Sequence, residues 1–437
     1  MPGGAEEAWK VIEQQQRNAD AKVEQAKLEL ARGLSEQQRL IQQRSQWFGK
    51  METAIESFKM QHLNDSVSHY YEILTKAAPT NWDYLIAAGR FEEDYMADYN
   101  RAMNYQLSAL NTTDNDTYKA TSYIIIGGIY EKLDDYSKAL EYYEKSLNIY
   151  LMIYGENASW GIANVSIGMG RVYSNQGDYS KALVCFEGAL KIFLLLNGDN
   201  HPAVATSYSY IGQIYFAQND YSKALDYFKK SLNLDLSFFG ENHPEVASGY
   251  YNIGYVYFAQ GDYSKALEYF EEVLKIRLSV YGENHSRVAS VYNDIGEIYS
   301  VQGDDFKALD YFKKSLKIVL SVYGENHSQV SSIYDHIGEV YFAQKDYSKA
   351  LYYFEESLKI RLSLFGENHP EVALSYYSIG SLYIIQGDKS KALNYYEKSL
   401  KIRLSVYGEN HPLTKEIMDL INVAANSKVL QSPETTK

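Results

Sequence analysis

The sequence predicts an all-α solenoid, a stack of helix pairs in which each pair packs against its neighbours. A segment of about 42 residues recurs between Asp116 and Leu413, and one copy, from His243 to Asn284, reads HPEVASGYYNIGYVYFAQGDYSKALEYFEEVLKIRLSVYGEN. One glycine per copy marks the period, with a first gap of 43 residues and later gaps of 42. These glycines are Gly127, Gly170, Gly212, Gly254, Gly296, Gly338 and Gly380. A fixed period in this range is typical of stacked supersecondary units.

The first half of each copy has helical spacing around its glycine. In one copy Tyr250 lies four residues before Gly254, Ile253 one residue before it and Tyr257 three residues after it. These offsets place the side chains on one face of a helix. The glycine lies on the same side, where the lack of a side chain lets a second helix approach closely.

The second half of each copy predicts a turn and a second helix. The turn reads QGDYSKA or a variant, and Gly261 suits a left-handed residue at the end of the first helix. Lys345 occupies this position in one copy, where we expect some strain. Ala266 is followed four residues later by Phe270 and eight residues later by Leu274, which indicates a second buried stripe.

This pattern of tyrosine, Ile-Gly, tyrosine, alanine and phenylalanine resembles the tetratricopeptide repeat. The 42-residue length and the linker YGENHPEVA are similar to the kinesin light chain version of that repeat. The resemblance is close in seven units and implies a right-handed α-solenoid, or superhelix. We expect the seven repeats over residues 115–410, two divergent helix pairs over residues 49–114 and a capping helix over residues 411–425.

The two ends of the chain differ from the repeats in composition. Residues 1–48 are rich in Gln, Glu, Ala, Lys and Arg, which predicts a long N-terminal helix. One alternative is that this helix dimerises as a coiled coil. The other is that it packs back on the array or is simply solvated, and this second alternative is favoured because its apolar residues keep no heptad register. Residues 426–437 are predicted to be a disordered tail.

Composition narrows the function classes. Lys and Arg total 42 against 56 for Asp and Glu, and the net charge of -14 gives no positive footprint for nucleic acid or anionic membrane. Cys185 is the single cysteine, so no intramolecular disulfide framework is possible. No run approaches the roughly 18 apolar residues of a membrane span. We expect a cytoplasmic protein whose partners are proteins or peptides, with no membrane insertion.

The histidines are the strongest candidates for chemistry, because six of nine recur in the linker. They are His201, His243, His285, His327, His369 and His411. Stacked helices lie about 8 to 10 Å apart, whereas zinc holds its ligands at about 2 Å, so one histidine per repeat cannot share an ion. We interpret Asn-His-Pro as a helix start with polar capping side chains. Without a P-loop, zincin or nucleophile-elbow motif, the sequence predicts no catalytic residue, metal or cofactor.

Positions that differ between copies are expected to face outward and to carry binding. Offsets of three and two before the glycine, and one and four after it, form a stripe opposite the buried one. The resemblance implies that this stripe lines a concave ligand groove. The candidate groove residues are Tyr210, Gln213, Phe216, Tyr251, Asn252, Tyr255, Phe258, Asn293, Asp294, Glu297, Asp335, His336, Glu339 and Phe342. We expect substitution of Asn252 to leave stability almost unchanged.

The order of these residues along the chain predicts the ligand chemistry. Aromatic side chains come first and carboxylates follow, so a bound segment should carry apolar anchors and Lys or Arg. A merely solvated face is the alternative, although clustered exposed aromatics count against it. The sequence therefore predicts a non-enzymatic protein-interaction module. The competing hypothesis is a regulatory peptide sensor or an oligomeric scaffold that self-associates through the N-terminal helix.

Overall fold

The computed structural model describes residues 64–93, 98–155 and 157–426. Within these ranges the chain is helical and contains no strand, so the predicted all-α solenoid of helix pairs is confirmed. The predicted N-terminal helix, the first part of the divergent pairs and residues 427–437 of the predicted tail lie outside the described residues. The chain divides into two compact units, with the boundary between Cys185 and Phe186.

The first unit contains, in chain order, one helix, two helix pairs and one further first helix. Its helices are α1 (Asn64–Ala77), α2 (Trp82–Phe91), α3 (Tyr99–Asn111), α4 (Asp116–Lys132), α5 (Tyr136–Tyr154) and α6 (Trp160–Asn175). Tyr143 of α5 is buried, and its hydroxyl donates to Glu131 Oε2 at 3.1 Å. Arg171 also reaches that carboxylate, at 2.8 Å, which joins α4 to α6.

The second unit repeats one helix pair along the chain. Its helices are α7 (Tyr179–Asn197, which contains the unit boundary), α8 (Pro202–Ala217), α9 (Tyr221–Phe239), α10 (Pro244–Ala259), α11 (Tyr263–Tyr281), α12 (Ser286–Val301), α13 (Asp305–Tyr323), α14 (Ser328–Ala343), α15 (Tyr347–Phe365), α16 (Pro370–Ile385), α17 (Lys389–Tyr407) and α18 (Pro412–Asn426). From α8 onward, each first helix packs on the second helix that follows it, and each second helix packs on the next first helix.

Small residues make the crossing of each pair close. The alanine of each second helix in this unit is fully buried. These residues are Ala224, Ala266, Ala308, Ala350 and Ala392. At the opposite helix, a Cβ on Gly296 would come within 2.8 Å of the Phe312 ring, and Phe312 is itself fully buried. The predicted role of the glycine is therefore confirmed, because no side chain fits beneath the ring.

The two tyrosine columns, which the sequence placed among the buried residues, are mostly half-buried. In one pair, Tyr208 and Tyr215 pack on Tyr227 with ring centroids 6.0 and 5.6 Å apart. Lys230 Nζ lies 4.9 Å from the Tyr227 ring centroid, and similar tyrosine clusters recur in the later pairs. A tyrosine ring covers apolar surface while its hydroxyl keeps contact with water, which explains the partial burial.

An aspartate caps each second helix from α9 to α17. In α11, Asp262 Oδ1 accepts a hydrogen bond from the Lys265 N–H at 3.3 Å, and Lys265 Nζ lies 2.7 Å from the other carboxylate oxygen. The same ammonium lies 4.9 Å from the Tyr257 ring centroid. The turn before the cap is left-handed in each repeat, and Lys345 has φ of 63°, as predicted.

The linker histidines begin the first helices, as predicted, and the imidazole ring is itself the cap. His243 Nδ1 accepts a hydrogen bond from the Glu245 N–H at 3.3 Å. Its ring stacks on Phe239 with a centroid distance of 4.0 Å and an interplanar angle of 6°. Pro244 is the first helical residue, where the missing N–H costs nothing. The stacking aims Nδ1 at the backbone amide, and the cap requires that this nitrogen carry no proton.

We expect Gly296→Ala to destabilise the array by about 1 to 3 kcal/mol, because the new methyl group would overlap the immovable Phe312 ring. Gly254→Ala is the matched control. There the nearest side-chain atom, Tyr269 Cβ, would lie at 3.1 Å, and the gain in helix propensity of about 0.5 to 1 kcal/mol offsets the contact. Urea unfolding followed by circular dichroism measures both variants. Equal losses would contradict the packing described for the crossing.

We expect the His327 cap to make stability depend on pH. His327 Nδ1 accepts from the Gln329 N–H at 3.2 Å, and burial lowers the pKa of His327. Since an unfolded histidine has a pKa of about 6.5, the unfolded chain binds the proton more readily and stability falls as pH drops below that value. His327→Ser keeps a cap acceptor that does not titrate, so this variant should lose less stability between about pH 7.5 and pH 5.5. The same decline in both proteins, measured by thermal unfolding, would rule out this role.

Candidate functional site

The predicted groove residues lie in the second unit, on the first helices α8, α10, α12 and α14. None of them is fully buried. Gln213, Tyr255 and Glu339 are exposed, and the others are half-buried. We call this set of residues the first-helix stripe. Its members differ in how far their side chains are already engaged within the protein.

Four aromatic residues of the stripe form one cluster centred on Tyr255. The Tyr255 ring centroid lies 5.5 Å from that of Phe216, 6.2 Å from that of Tyr251 and 6.1 Å from that of Phe258. Tyr255 is 44% exposed, and the other three pack on the hydrophobic core beneath them. We call these four residues the aromatic patch. Their rings are held by helices and core packing, so a ligand would meet a surface that is already ordered.

Two predicted aromatic residues lie outside the aromatic patch. Tyr210 stacks on Phe186 with a centroid distance of 5.0 Å and an interplanar angle of 9°. Phe342 packs edge-on against Tyr347 at 5.9 Å. Tyr210 thus covers apolar surface of the preceding second helix, α7, and Phe342 covers apolar surface of its own repeat. The aromatic part of the site is therefore narrower than the sequence predicted.

Polar residues of the stripe join neighbouring first helices. Asn252 Nδ2 donates to Ser209 Oγ at 3.3 Å, and His336 Nδ1 forms a hydrogen bond with Asn293 Oδ1 at 3.0 Å. In both pairs the partners are 43 residues apart, on adjacent first helices. Asn252 was expected to face outward without a structural role, but its amide is half-buried and bonded across the repeat interface; the small effect of its substitution on stability stays a prediction.

Four carboxylates follow the aromatic patch along the stripe. Burial, with a further contribution from the charge of Glu297, raises the pKa of Asp294 to about 7. Burial also raises the pKa of Glu297. Desolvation raises the pKa of Glu339, and the charges of Asp335 and Glu297 add to this shift. We call these four residues the acidic patch. Their mutual repulsion makes the patch favourable for a cationic group.

Asp335 is not a free carboxylate, contrary to the expectation from the sequence. Arg361 of α15 is almost fully buried, and its Nη1 lies 2.7 Å from Asp335 Oδ2. Its Nη2 lies 3.0 Å from Glu371 Oε2, and Nη1 also donates to Ser375 Oγ at 2.8 Å. Burial nevertheless raises the pKa of Asp335 to about 6, although Arg361 acts in the opposite direction. Glu297 and Glu339 have no such arginine partner among the described residues.

Sequence reasoning missed the arginines of the second helices. Arg277 of α11 lies beneath the aromatic patch, with its guanidinium carbon 5.4 Å from the Tyr251 ring centroid. It also donates to the Arg287 carbonyl at 2.8 Å and to Ser290 Oγ at 3.0 Å. The available signal was the motif LKIRLSVYG or LKIRLSLFG, in which arginine recurs at one position of the second helix.

Two further features of the described ranges concern metal ions and membranes. There, no group of three or more His, Cys, Asp or Glu side chains is placed to hold a metal ion. Among the described helices, none combines the length and apolar character needed to cross a membrane.

Family models for the tetratricopeptide repeat match most of the chain. One matches residues 120–151, and another matches residues 161–237, 234–279, 245–321, 287–363 and 329–405. The chain belongs to the tetratricopeptide repeat family. The tetratricopeptide fold is generally a non-catalytic scaffold for interactions. No curated protein sequence matches the chain.

Solved structures with similar folds include kinesin light chain-like tetratricopeptide proteins. A signal transduction ATPase with a tetratricopeptide repeat sensor, from Pyrococcus horikoshii, has a TM-score of 0.56 and 16% identity; the match covers 83% of this chain and 55% of that one. BtubC from P. vanneervenii has a TM-score of 0.46 and 22% identity, covering 54% and 92%. A protein of Podosopora anserina assigned as a kinesin light chain, with nearly identical repeats, has a TM-score of 0.42 and 16% identity, covering 47% and 98%. At these identities the likeness concerns the fold.

We expect Arg361→Met to destabilise the tetratricopeptide array by about 3 kcal/mol at pH 7.5, because it leaves the largely buried Asp335 carboxylate without its cation. The loss should shrink as pH falls from 7.5 toward about 6, because Arg361 holds the pKa of Asp335 down and the carboxyl group of the variant therefore takes up its proton at a higher pH than that of the parent. The double variant Arg361→Met, Asp335→Leu should recover most of the stability. Urea unfolding at several pH values measures the free energy of unfolding of the parent, the single variant and the double variant. A double variant as unstable as the single one would show that the ion pair is not the cause.

Proposed function

We propose that this protein is a non-enzymatic binding module that holds a peptide or protein segment along the first-helix stripe of the second unit. The observation that carries the proposal is the aromatic patch, in which four rings form one cluster and Tyr255 remains 44% exposed. Clustered exposed aromatic surface is costly in water, and such surface commonly marks interaction sites. Membership of the tetratricopeptide family supports the same conclusion.

The chemistry of the stripe specifies the bound segment. Apolar anchors would pack on the aromatic patch, where buried rings carry most of the binding energy of an interface. Lys or Arg side chains would lie near Glu297 and Glu339, the carboxylates of the acidic patch with no internal arginine partner among the described residues. The net charge of -14 would also attract a cationic segment from a distance.

The alternative of a peptide sensor would use the same stripe, with a further response elsewhere in the chain. The oligomeric scaffold depends on residues 1–48, which lie outside the described residues. Self-association through that segment and the cytoplasmic location stay predictions of the sequence.

We expect random peptides selected by display on the full chain to carry an aromatic or aliphatic anchor together with Lys or Arg. For a synthetic peptide of this kind, Tyr255→Ser should weaken binding by about 2 kcal/mol or more, because it removes the centre of the aromatic patch. Tyr352→Ser is the control, since Tyr352 is a 58% exposed tyrosine on the second helix α15. Fluorescence anisotropy measures affinity, and circular dichroism shows that each variant is folded.

The same experiment tests whether the bound segment carries positive charge near Glu297 and Glu339. Replacing both Glu297 and Glu339 with Gln should weaken binding most at low salt, because charges that remain in contact with solvent act mainly on the association rate and are screened by salt. Selection of acidic peptides would overturn the charge assignment. Unchanged affinity in folded Tyr255→Ser would overturn the proposed site.

A further inference from the structure

One position of the second helices supplies arginines to the start of the next repeat. Arg361 pairs with Glu371 at 3.0 Å. Arg403 Nη1 donates to the Leu413 carbonyl at 2.6 Å. Arg277 donates to a carbonyl in the corresponding turn of α12. In these three repeats the chain provides its own guanidinium group between a second helix and the first helix that follows.

In α9 the same position carries an acid. Asp235 lies 126 residues before Arg361, which is three periods of 42, and Glu245 lies 126 residues before Glu371. The repeat thus has Asp and Glu where the later repeat has the Arg361–Glu371 ion pair. Ser209 and Gly249 stand in the places of Asp335 and Ser375, so the surrounding positions supply no cation either.

Asp235 is a buried carboxylate without a partner. Its exposed fraction is 7%, and it forms no hydrogen bond or ion pair with any residue that the structure describes. Burial, and then the negative charge of Glu245 on the facing helix, raises the pKa of Asp235 to about 7. An isolated buried carboxylate is costly, and a neighbouring acid adds to the cost.

The location connects this acid pair to the first-helix stripe. Arg361 reaches the stripe directly, since it contacts Asp335. In the earlier repeat the equivalent of Asp335 is Ser209, which accepts a hydrogen bond from Asn252 of the stripe. By the repeat register, Asp235 therefore occupies the second-helix position that corresponds to Arg361, and Ser209, the counterpart of Asp335, is bonded to Asn252 of the stripe.

We propose that Asp235 and Glu245 form a subsite for the guanidinium group of an arginine carried by the bound segment. The planar guanidinium group presents several N–H donors in a fixed fork, which suits two carboxylates better than an ammonium group does. It would occupy the position that the chain's own arginine occupies in the later repeats. This inference rests on the proposed function and names one specificity subsite within it.

The test uses the full chain, labelled with ¹³C at the aspartate carboxyl carbons, and N-acetyl-arginine amide as the probe. The Asp235 signal is identified by its absence in Asp235→Asn. We expect a saturable change of this signal with the arginine probe and a fall of about one unit in the pKa of Asp235. N-acetyl-citrulline amide, which has nearly the same shape without the charge, should have no such effect.

Variants separate this subsite from general charge effects. Asp235→Arg recreates the arginine of the later repeats, so this variant should fold normally. The probe should then no longer change the signals of residues near position 235. Asp226→Asn is the control, because Asp226 is an exposed carboxylate on the same helix, 2.6 Å from Lys230 Nζ. This variant should keep the full response at Asp235.

Three results with the small probes would overturn the subsite. They are no saturable response at Asp235, an equal response to citrulline, and an equal response to N-acetyl-lysine amide, which would remove the guanidinium assignment. A selected arginine-containing peptide that needs Tyr255 but binds Asp235→Asn as tightly as the parent would also refute the subsite while leaving the proposed function intact. A peptide that loses affinity in Asp235→Asn but not in Tyr255→Ser would refute the proposed binding at the aromatic patch and leave the subsite intact.

Discussion

The close crossing of the two helices in each repeat is the constraint on which the array depends. The Phe312 ring fills the space that a side chain on Gly296 would need, and the crossings at Gly212, Gly338 and Gly380 are similarly tight. Because each crossing fixes how a pair is oriented, every position of the 42-residue period has a defined environment. Outward positions of successive first helices consequently align into one stripe, although they are far apart in sequence.

Because of this alignment, some side chains of the stripe also hold neighbouring repeats together. Asn252 and His336 each bond to a residue of the preceding first helix, so part of the stripe holds the stack together. Tyr251 packs on the core and also belongs to the aromatic patch. The stripe residues with the most accessible surface are Gln213, Tyr255 and Glu339, which are exposed. A bound segment would therefore add contacts to a surface that the array has already ordered.

The sequence predicted those features that depend on local helix geometry. The period, the small residues at the crossing and the left-handed Lys345 all follow from spacing within one helix or turn. It did not predict the partner of Asp335, because Arg361 comes from a second helix and its reach depends on how the two helices cross. The bond of Asn252 was missed for a related reason, since its partner lies one whole repeat away.

The variable position of the second helices determines the charge beneath the stripe. Arg361 lies under Asp335. One period earlier, the second helix has the neutral Val319 and the first helix has the neutral Asn293. In these repeats the two helices match in charge, as expected if a buried charge is tolerated only beside its partner. Asp235 departs from the rule, because Ser209 is neutral and Glu245 has the same sign. Arg277 also has a neutral first-helix neighbour, Tyr251, and a like charge at Arg287, but its guanidinium group is hydrogen-bonded and lies over the Tyr251 ring. Asp235 has no such contact with any described residue, so its burial is costly to the folded protein alone, and a cation brought by a partner would remove that cost.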